Sequence, residues 1–267
     1  MNDLEKYFRS NEKRLIHKWI NYFDVYERHF SKYRNKDVVI LEIGVYEGGS
    51  LQMWKDYFGD KAKIFAIDLD PRCKQLEEEN IVIFTGSQSD RKFLRNLRNE
   101  IPMIDIMIDD GGHMMTQQIV SFVELFDHIK EDGIYLCEDT HTSYILHYGG
   151  GHRRRGTFIE YSKNFIDYLN AHHSKQRSLK VNEFTKSVNS IHYYDSIVVI
   201  EKKIMSMNYH EQIGKRSLET YPIDKNIYVF KKIFRKIKMI THRITYLLLF
   251  IVNKPLQSLR LGGIVWK

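Results

Sequence analysis

The order of the apolar segments predicts an α/β fold: a doubly wound, mostly parallel sheet of seven strands with a C-terminal antiparallel hairpin. Three observations carry that expectation. Short apolar runs alternate with longer amphipathic stretches between residues 38 and 138. The runs are continuously hydrophobic rather than alternating, as in strands buried on both faces. Two later runs in "SIHYYDSIVVIEKK" (190–203) lie too close together for a parallel crossover, which needs about a dozen residues, so they pair antiparallel.

The elements follow in chain order. Residues 3–30 read as helix, with Leu4, Tyr7, Phe8, Leu15, Trp19, Tyr22 and Phe23 spaced as a buried stripe, so residues 1–37 are expected to form an N-terminal helical cap. Strands are expected at "VVILEI" (38–43), "KIFAID" (63–68), "IVIF" (81–84), "IDIMI" (104–108) and "GIYLCE" (133–138). Helices are expected near 49–58, 72–79, 89–99, 116–130 and 157–171. The hairpin closes a body of residues 38–203, leaving 204–267 as a linker and tail.

Composition narrows the function. The formal charge of +7 is an uneven average: all 34 acidic residues lie at or before position 224, and ten of the 41 Lys and Arg follow it. The first 224 residues are therefore slightly acidic, which argues against a nucleic-acid-binding body, and the tail carries the whole basic excess. Cys73 and Cys137 are far apart, which points to a reducing compartment without a disulfide framework. The opening "MNDLEKYFRSNEKRLIHKWI" lacks the apolar core of a signal peptide, so a cytoplasmic location is expected.

"VVILEIGVYEGGSLQMW" (38–54) is strand, glycine turn, helix, at the kind of strand end where open parallel sheets bind ligands. Gly44 would let a ligand approach the backbone closely. The spacing G-x-x-x-G-G is not the dinucleotide pattern, and an acid at Glu42 would repel a pyrophosphate but suits a ligand with a cationic amino-acid end. Asp68 closes the next strand, placed for ribose hydroxyls, and Ser87, Gln88 and Asp90 in "TGSQSD" could read a nucleobase edge. "LEIGVYEGGS" with "FAIDLD" resembles the cofactor half of class I S-adenosylmethionine-dependent methyltransferases. That resemblance implies S-adenosylmethionine as cofactor, with Ser50 and Asp109 joining the residues around it.

"IDDGGHMM" (108–115) ends the fourth strand in two acids. Successive strand side chains point to opposite faces, so Asp109 and Asp110 would divide between the cofactor pocket and the substrate cleft. The fifth strand also ends in acids, Glu138 and Asp139 in "GIYLCEDTHTSY". Asp110, Glu138 and Asp139 would then crowd together, and such carboxylates must protonate or meet a cation. Oxygen ligands without thiolate favour Mg2+; the alternative is neutralisation by a Lys or Arg, or simple solvation.

"DDGGH", "EDTHTSY" and "YGGG" (148–151) together resemble the metal-dependent sugar O-methyltransferases related to the mycinamicin and rhamnosyl enzymes, a group that includes cephalosporin-hydroxylase-like proteins. The likeness covers about residues 38–201 and includes "TFIEYSKNFIDYLN" (157–170). It implies that Asp110, Glu138 and Asp139 hold the metal and that His113 is the general base, with Gly112 where a serine is more usual; His141 is left unassigned. The expected reaction is Mg2+-dependent methylation of a sugar hydroxyl, on a cell-surface glycan. Two other readings are methylation of a natural-product or catechol-like diol, and a non-catalytic glycan-assembly partner docked at a membrane.

The tail segment "VFKKIFRKIKMITHRITYLLLFIV" (229–252) contains no proline, glycine or acid. Its apolar residues follow helical spacing, with basic residues crowded elsewhere, as in a helix lying on an anionic membrane at the inner face of the cell. The same pattern suits a helix that packs on the body or on a second copy of the chain.

Overall fold

The computed structural model describes residues 1–205, 209–218, 232–241 and 244. The chain forms two compact units, Met1–Tyr209 and His210–Lys267. In the first, the N-terminal residues form α1 (Asp3–Arg9) and α2 (Tyr22–Phe30). There follow β1 (Val39–Ile43), α3 (Gly49–Phe58), β2 (Lys63–Asp68), β3 (Ile81–Thr85), α4 (Arg91–Glu100), β4 (Ile104–Asp109), α5 (Met115–Leu125) and β5 (Ile129–Cys137). Short helices α6 (Phe158–Ser162), α7 (Asn164–Leu169) and α8 (Glu183–Ser187) precede the hairpin β6 (Val188–Tyr193) and β7 (Val198–Lys202).

The sheet has seven strands in the order β3-β2-β1-β4-β5-β7-β6. β1 pairs parallel with both β2 and β4, while β7 lies antiparallel between β5 and β6. The predicted fold is borne out, including the hairpin. Both faces are covered, as the continuous apolar runs required. One face packs Phe23, Tyr26, Phe30, Trp54 and Phe58 over Ile40, Ile64 and Ile106. The other packs Leu94, Leu97, Phe122, Leu125 and Phe165 over Leu41, Met107 and Tyr135. Residues 1–37 contribute Leu4, Tyr22, Phe23 and Phe30 to the first core, so this segment is built into the same unit as the sheet.

The N-terminal segment departs from the expected single helix. It is helical only over Asp3–Arg9 and Tyr22–Phe30, and residues 11–19 contain no regular helix. Leu15 and Trp19, read from the sequence as part of a buried stripe, are 57% and 56% exposed. The spacing was helical, but tertiary contacts override it. Arg14 reaches the Leu76 carbonyl at 2.9 Å, and the Lys18 ammonium is drawn into the acids at the end of the sheet.

The helical stretch expected at 157–171 is divided between α6 and α7. Residues 232–241, within the segment expected as a basic amphipathic helix, are helical and exposed. Residues 229–231, 242–243 and 245–252 of that segment lie outside the described residues. Among the described residues, no helix is long and apolar enough to cross a membrane.

Phe122 holds the second core together, with ring centroids 4.7 Å from Phe126, 4.8 Å from Phe165 and 5.0 Å from Tyr135. Phe122→Ala should lower unfolding free energy by about 3–5 kcal/mol, the usual cost of a truncated core aromatic. Urea denaturation followed by circular dichroism measures it, and a loss within error of zero would contradict this packing.

Candidate active site

The switch point of the sheet lies between β1 and β4, where strand order reverses and α/β folds bind ligands. Parallel register brings the strand ends level: Ile43 pairs with Asp109 and with Ile67, and Asp109 with Cys137. The residues just beyond, Gly44, Asp110 and Glu138, therefore meet. Gly44 has φ +96°, and a Cβ there would collide with the Asp110 carbonyl, so this turn requires glycine for both conformation and space.

A cavity of about 480 Å³ opens over the ends of β1, β2 and β3, within the range of cofactor sites. Gly44, Ser50, Asp68, Ser87, Gln88 and Asp110 all line it, as does the N-terminal segment through Ile16, His17 and Lys18. Asp68 Oδ2 accepts hydrogen bonds from the Val45 and Tyr46 amides at 2.8 and 3.2 Å, so it organises the glycine turn as well as facing the cavity. Glu42 is fully buried behind the lining; its Oε2 accepts from Ser50 Oγ at 2.9 Å. Its Oε1 has no hydrogen bond and lies 3.8 Å from Lys18 Nζ.

Two residues expected at the cofactor hold the protein instead. Asp90 caps α4, accepting from the Lys92 and Phe93 amides, and does not line the cavity. Asp109 is buried away from it, bonded to Ser121 Oγ and, at 3.0 Å, to Gln88 Nε2. Gln88 in turn accepts from the Gly112 amide at 2.8 Å, so Asp109 positions the turn that carries His113. The two neighbouring acids do part, as strand alternation implied, but not between cofactor pocket and substrate cleft: Asp110 lines the first cavity and Asp109 lines neither. Burial raises the Asp109 carboxyl above its ordinary range, against the hydrogen bonds of Ser121 and Gln88.

Of the three acids expected to gather, Asp110 and Asp139 converge on His113, and Glu138 is not among the converging ligand atoms. His113 Nε2 lies 3.3 Å from Asp139 Oδ2 and 4.0 Å from Asp110 Oδ1. Asp110, His113 and Asp139 present ligand atoms all within 4.8 Å of one another. His113 and Asp139 both have left-handed backbones, φ +56° and +51°, a strained state that surrounding structure must enforce. Here Thr142 supplies part of that restraint, bonding the carbonyls of His113 at 3.1 Å and of Asp139 at 2.7 Å. His113 Nδ1 is buried without a partner.

Glu138 is held differently. Lys18 Nζ donates to both its oxygens at 3.0 and 2.9 Å and to Asp110 Oδ2, while Tyr26 OH donates to Glu138 Oε1 at 2.6 Å. Tyr22 OH donates to Asp139 Oδ1 at 2.6 Å. Burial pulls the Lys18 ammonium towards deprotonation, but Asp110, Glu138 and Glu42 more than offset it and the net effect is upward. Burial and then Asp110 push the Glu138 carboxyl well up. Lys18, Tyr22 and Tyr26 were missed as functional residues. Their one signal was spacing, since 18, 22 and 26 are four apart; of the three only Tyr22 belongs to the apolar stripe read from the sequence, and Lys18 and Tyr26 are not singled out there.

The donors suit a hard cation: carboxylates of Asp110 and Asp139 converge, with Glu138 beside them and no thiolate near. A second cavity, about 530 Å³, adjoins Asp139 through Thr140 and His141 and is walled by Tyr144, Lys163, Tyr193 and Tyr194. His141, unassigned from sequence, bonds Ser196 Oγ at 2.5 Å and meets Trp19 edge-on at 6.0 Å.

Burial raises the Glu42 carboxyl from its usual 4.5 to about 7, with Lys18 opposing. The folded state then keeps a proton that the unfolded chain has released, so Glu42 makes stability fall as pH rises from 4.5 to 7. Relative to Glu42→Gln, the wild-type protein should lose up to about 3 kcal/mol across that window in urea titrations. Parallel profiles for the two proteins would contradict the assignment.

No protein-family model matches the chain. It is 34% identical to the 8-demethyl-8-(2-methoxy-alpha-L-rhamnosyl)-tetracenomycin-C 3'-O-methyltransferase of Streptomyces olivaceus, over 69% of this chain and 50% of that one. It is 31% identical to the mycinamicin VI 2''-O-methyltransferase of Micromonospora griseorubida, over 66% of this chain and 47% of the relative. The chain thus spans about half the length of the curated relatives it matches. Its fold is similar to the MycE methyltransferase of the mycinamycin pathway, solved in complex with Mg and SAH, at TM-score 0.67 and 29% identity over 76% of this chain and 54% of that one. On this sequence identity and fold similarity, the chain belongs to the class I S-adenosylmethionine-dependent methyltransferases, in the family of these sugar O-methyltransferases.

Proposed function

We propose that the protein transfers a methyl group from S-adenosylmethionine to a sugar hydroxyl in a Mg2+-dependent reaction. The observation that carries this is the histidine set against two carboxylates, His113 Nε2 at 3.3 Å from Asp139 and 4.0 Å from Asp110, between residues that line two cavities. The first cavity suits the cofactor. Its glycine turn admits a close approach, and Asp68 and Ser87 offer polar atoms for a nucleoside. The second suits a sugar, since tyrosine faces cover carbon-bound hydrogens while Lys163 and Asp195 can bond hydroxyls. The relatives named above are O-methyltransferases of a rhamnosyl tetracenomycin and of mycinamicin VI.

Asp110, Glu138 and Asp139 would hold the metal. Such an ion, when bound, lowers the pKa of a sugar hydroxyl that otherwise keeps its proton far above neutrality. The chain's own residues supply the rest. His113 Nε2 takes the hydroxyl proton, and Asp139 stabilises the resulting imidazolium. Tyr22 fixes the Asp139 carboxylate through Oδ1 and leaves Oδ2 towards His113. The acceptor oxygen then forms its bond to the methyl carbon as the carbon–sulfur bond breaks, and the sulfonium leaves as a neutral thioether.

We place the sugar on a cell-surface glycan, because the basic excess lies in a tail suited to an anionic membrane. Helical residues 232–241 expose Ile233, Phe234, Ile237 and Ile240 beside Lys232, Arg235, Lys236 and Lys238. Full-length protein should sediment with vesicles containing anionic lipid and be released by salt, which screens those charges. Equal recovery with neutral vesicles would refute this part of the reading.

For the activity itself, labelled methyl transfer to a panel of glycosides should stop in EDTA and return with Mg2+. His113→Ala should lower kcat by roughly 10²–10⁴ without weakening cofactor binding, and the deficit should shrink at high pH. Full turnover in chelator would eliminate the metal, and an unimpaired His113→Ala enzyme would eliminate the base.

A further inference from the structure

Lys18 takes no part in the chemistry above, yet its ammonium group sits at the centre of the acids. Its side chain is only 2% exposed. Nζ contacts Asp110 Oδ2 and both oxygens of Glu138, and lies 3.8 Å from Glu42 Oε1. It therefore touches the acid expected on the cofactor side as well as two expected at the metal.

The segment that delivers it is anchored independently. Arg14 pairs with Glu78 at 3.0 Å and donates to the Leu76 carbonyl at 2.9 Å. The Arg14 and Leu15 carbonyls lie so close to Gly49 that a Cβ there would collide with them. Ile16, His17 and Lys18 then run along the cofactor cavity. Lys18 is thus fixed at its root as well as at its tip.

We propose that Lys18 is a positioning residue for the metal centre: a resident cation that holds Glu42, Asp110 and Glu138 together before a divalent ion binds, and keeps the affinity for that ion low. The inference rests on the metal reading given above. Glu138 has both oxygens engaged by Lys18, and one of them by Tyr26 as well. Asp110 Oδ1 and Asp139 Oδ2 instead face His113. A divalent ion approaching these acids meets a fixed positive charge in a buried setting, where repulsion is poorly screened. The same charge removes the repulsion among the acids that an empty site would otherwise suffer.

The sign of one measurement separates this role from a purely structural one. Mn2+ binding to the full-length chain would be followed by electron paramagnetic resonance for wild type, Lys18→Gln and Lys18→Arg. Lys18→Gln should bind Mn2+ about tenfold tighter or more, a gain of about 1.4 kcal/mol or more; Lys18→Arg, which keeps the charge, should stay near wild type. Lys18→Gln should also melt below wild type in EDTA and gain more from added Mn2+. Equal or weaker Mn2+ binding by Lys18→Gln overturns the proposal while leaving the metal reading intact. If Lys18→Gln fails to fold in EDTA, recovery of the fold with Mn2+ supports the proposal, and failure to recover overturns it. Absence of Mn2+ binding in both wild type and Lys18→Gln defeats the metal reading and this inference together.

Discussion

A buried lysine ammonium set among three carboxylates is the contact on which the site depends. Parallel strands must end level, and the sequence puts an acid at or just beyond the end of β1, β4 and β5. Glu42 and Glu138 are almost completely buried, so their charges cannot be left to solvent. Lys18 answers them, and the chain between α1 and α2 runs without helix through the residues that bring it there. The cofactor cavity gains a wall from the same segment. Charge compensation and cavity shape therefore have one cause.

The turns after β4 and β5 show how the fold prepares a reacting group. His113 and Asp139 occupy left-handed conformations that isolated residues of their kind seldom adopt. The strain is offset by a dense polar frame: Gln88 ties the first turn to Asp109, Thr142 ties both turns together, and Tyr22 fixes the Asp139 carboxylate. Groups held this way need little rearrangement when a substrate arrives, which is the main benefit of preorganisation in an active site. Asp109 has the same residue type as Asp110 and adjoins it, but acts only through this frame.

The two cavities lie on either side of this constellation and differ in character. Glycines, Asp68 and Ser87 shape the first; tyrosines, with His141, shape the second. The hairpin turn between β6 and β7 bounds the second cavity through Tyr193, Tyr194, Asp195 and Ser196. Ser196 also reaches Tyr22 and His141, so the antiparallel hairpin at the end of the sheet takes part in the site.

Much of this was legible in the sequence because it depends on local rules. Strands buried on both faces must be continuously apolar, and a hairpin with almost no connection must be antiparallel. Acids at strand ends must face the switch point once the strands are parallel, which is why Glu42, Asp68, Asp110, Glu138 and Asp139 could be named together. Alternation along β4 separated Asp109 from Asp110, but only packing showed that Asp109 meets Gln88 and Ser121 and that Asp90 ends as a helix cap. The break between α1 and α2 could not be read from periodicity, because Leu15 and Trp19 have helical spacing and were displaced by long-range attraction. What only the tertiary structure decided was the cation. Whether three neighbouring carboxylates face a lysine, a metal or water depends on which distant side chain reaches them. Lys18 lies 92 residues from Asp110 and 120 from Glu138, and no pattern within either segment encodes that meeting.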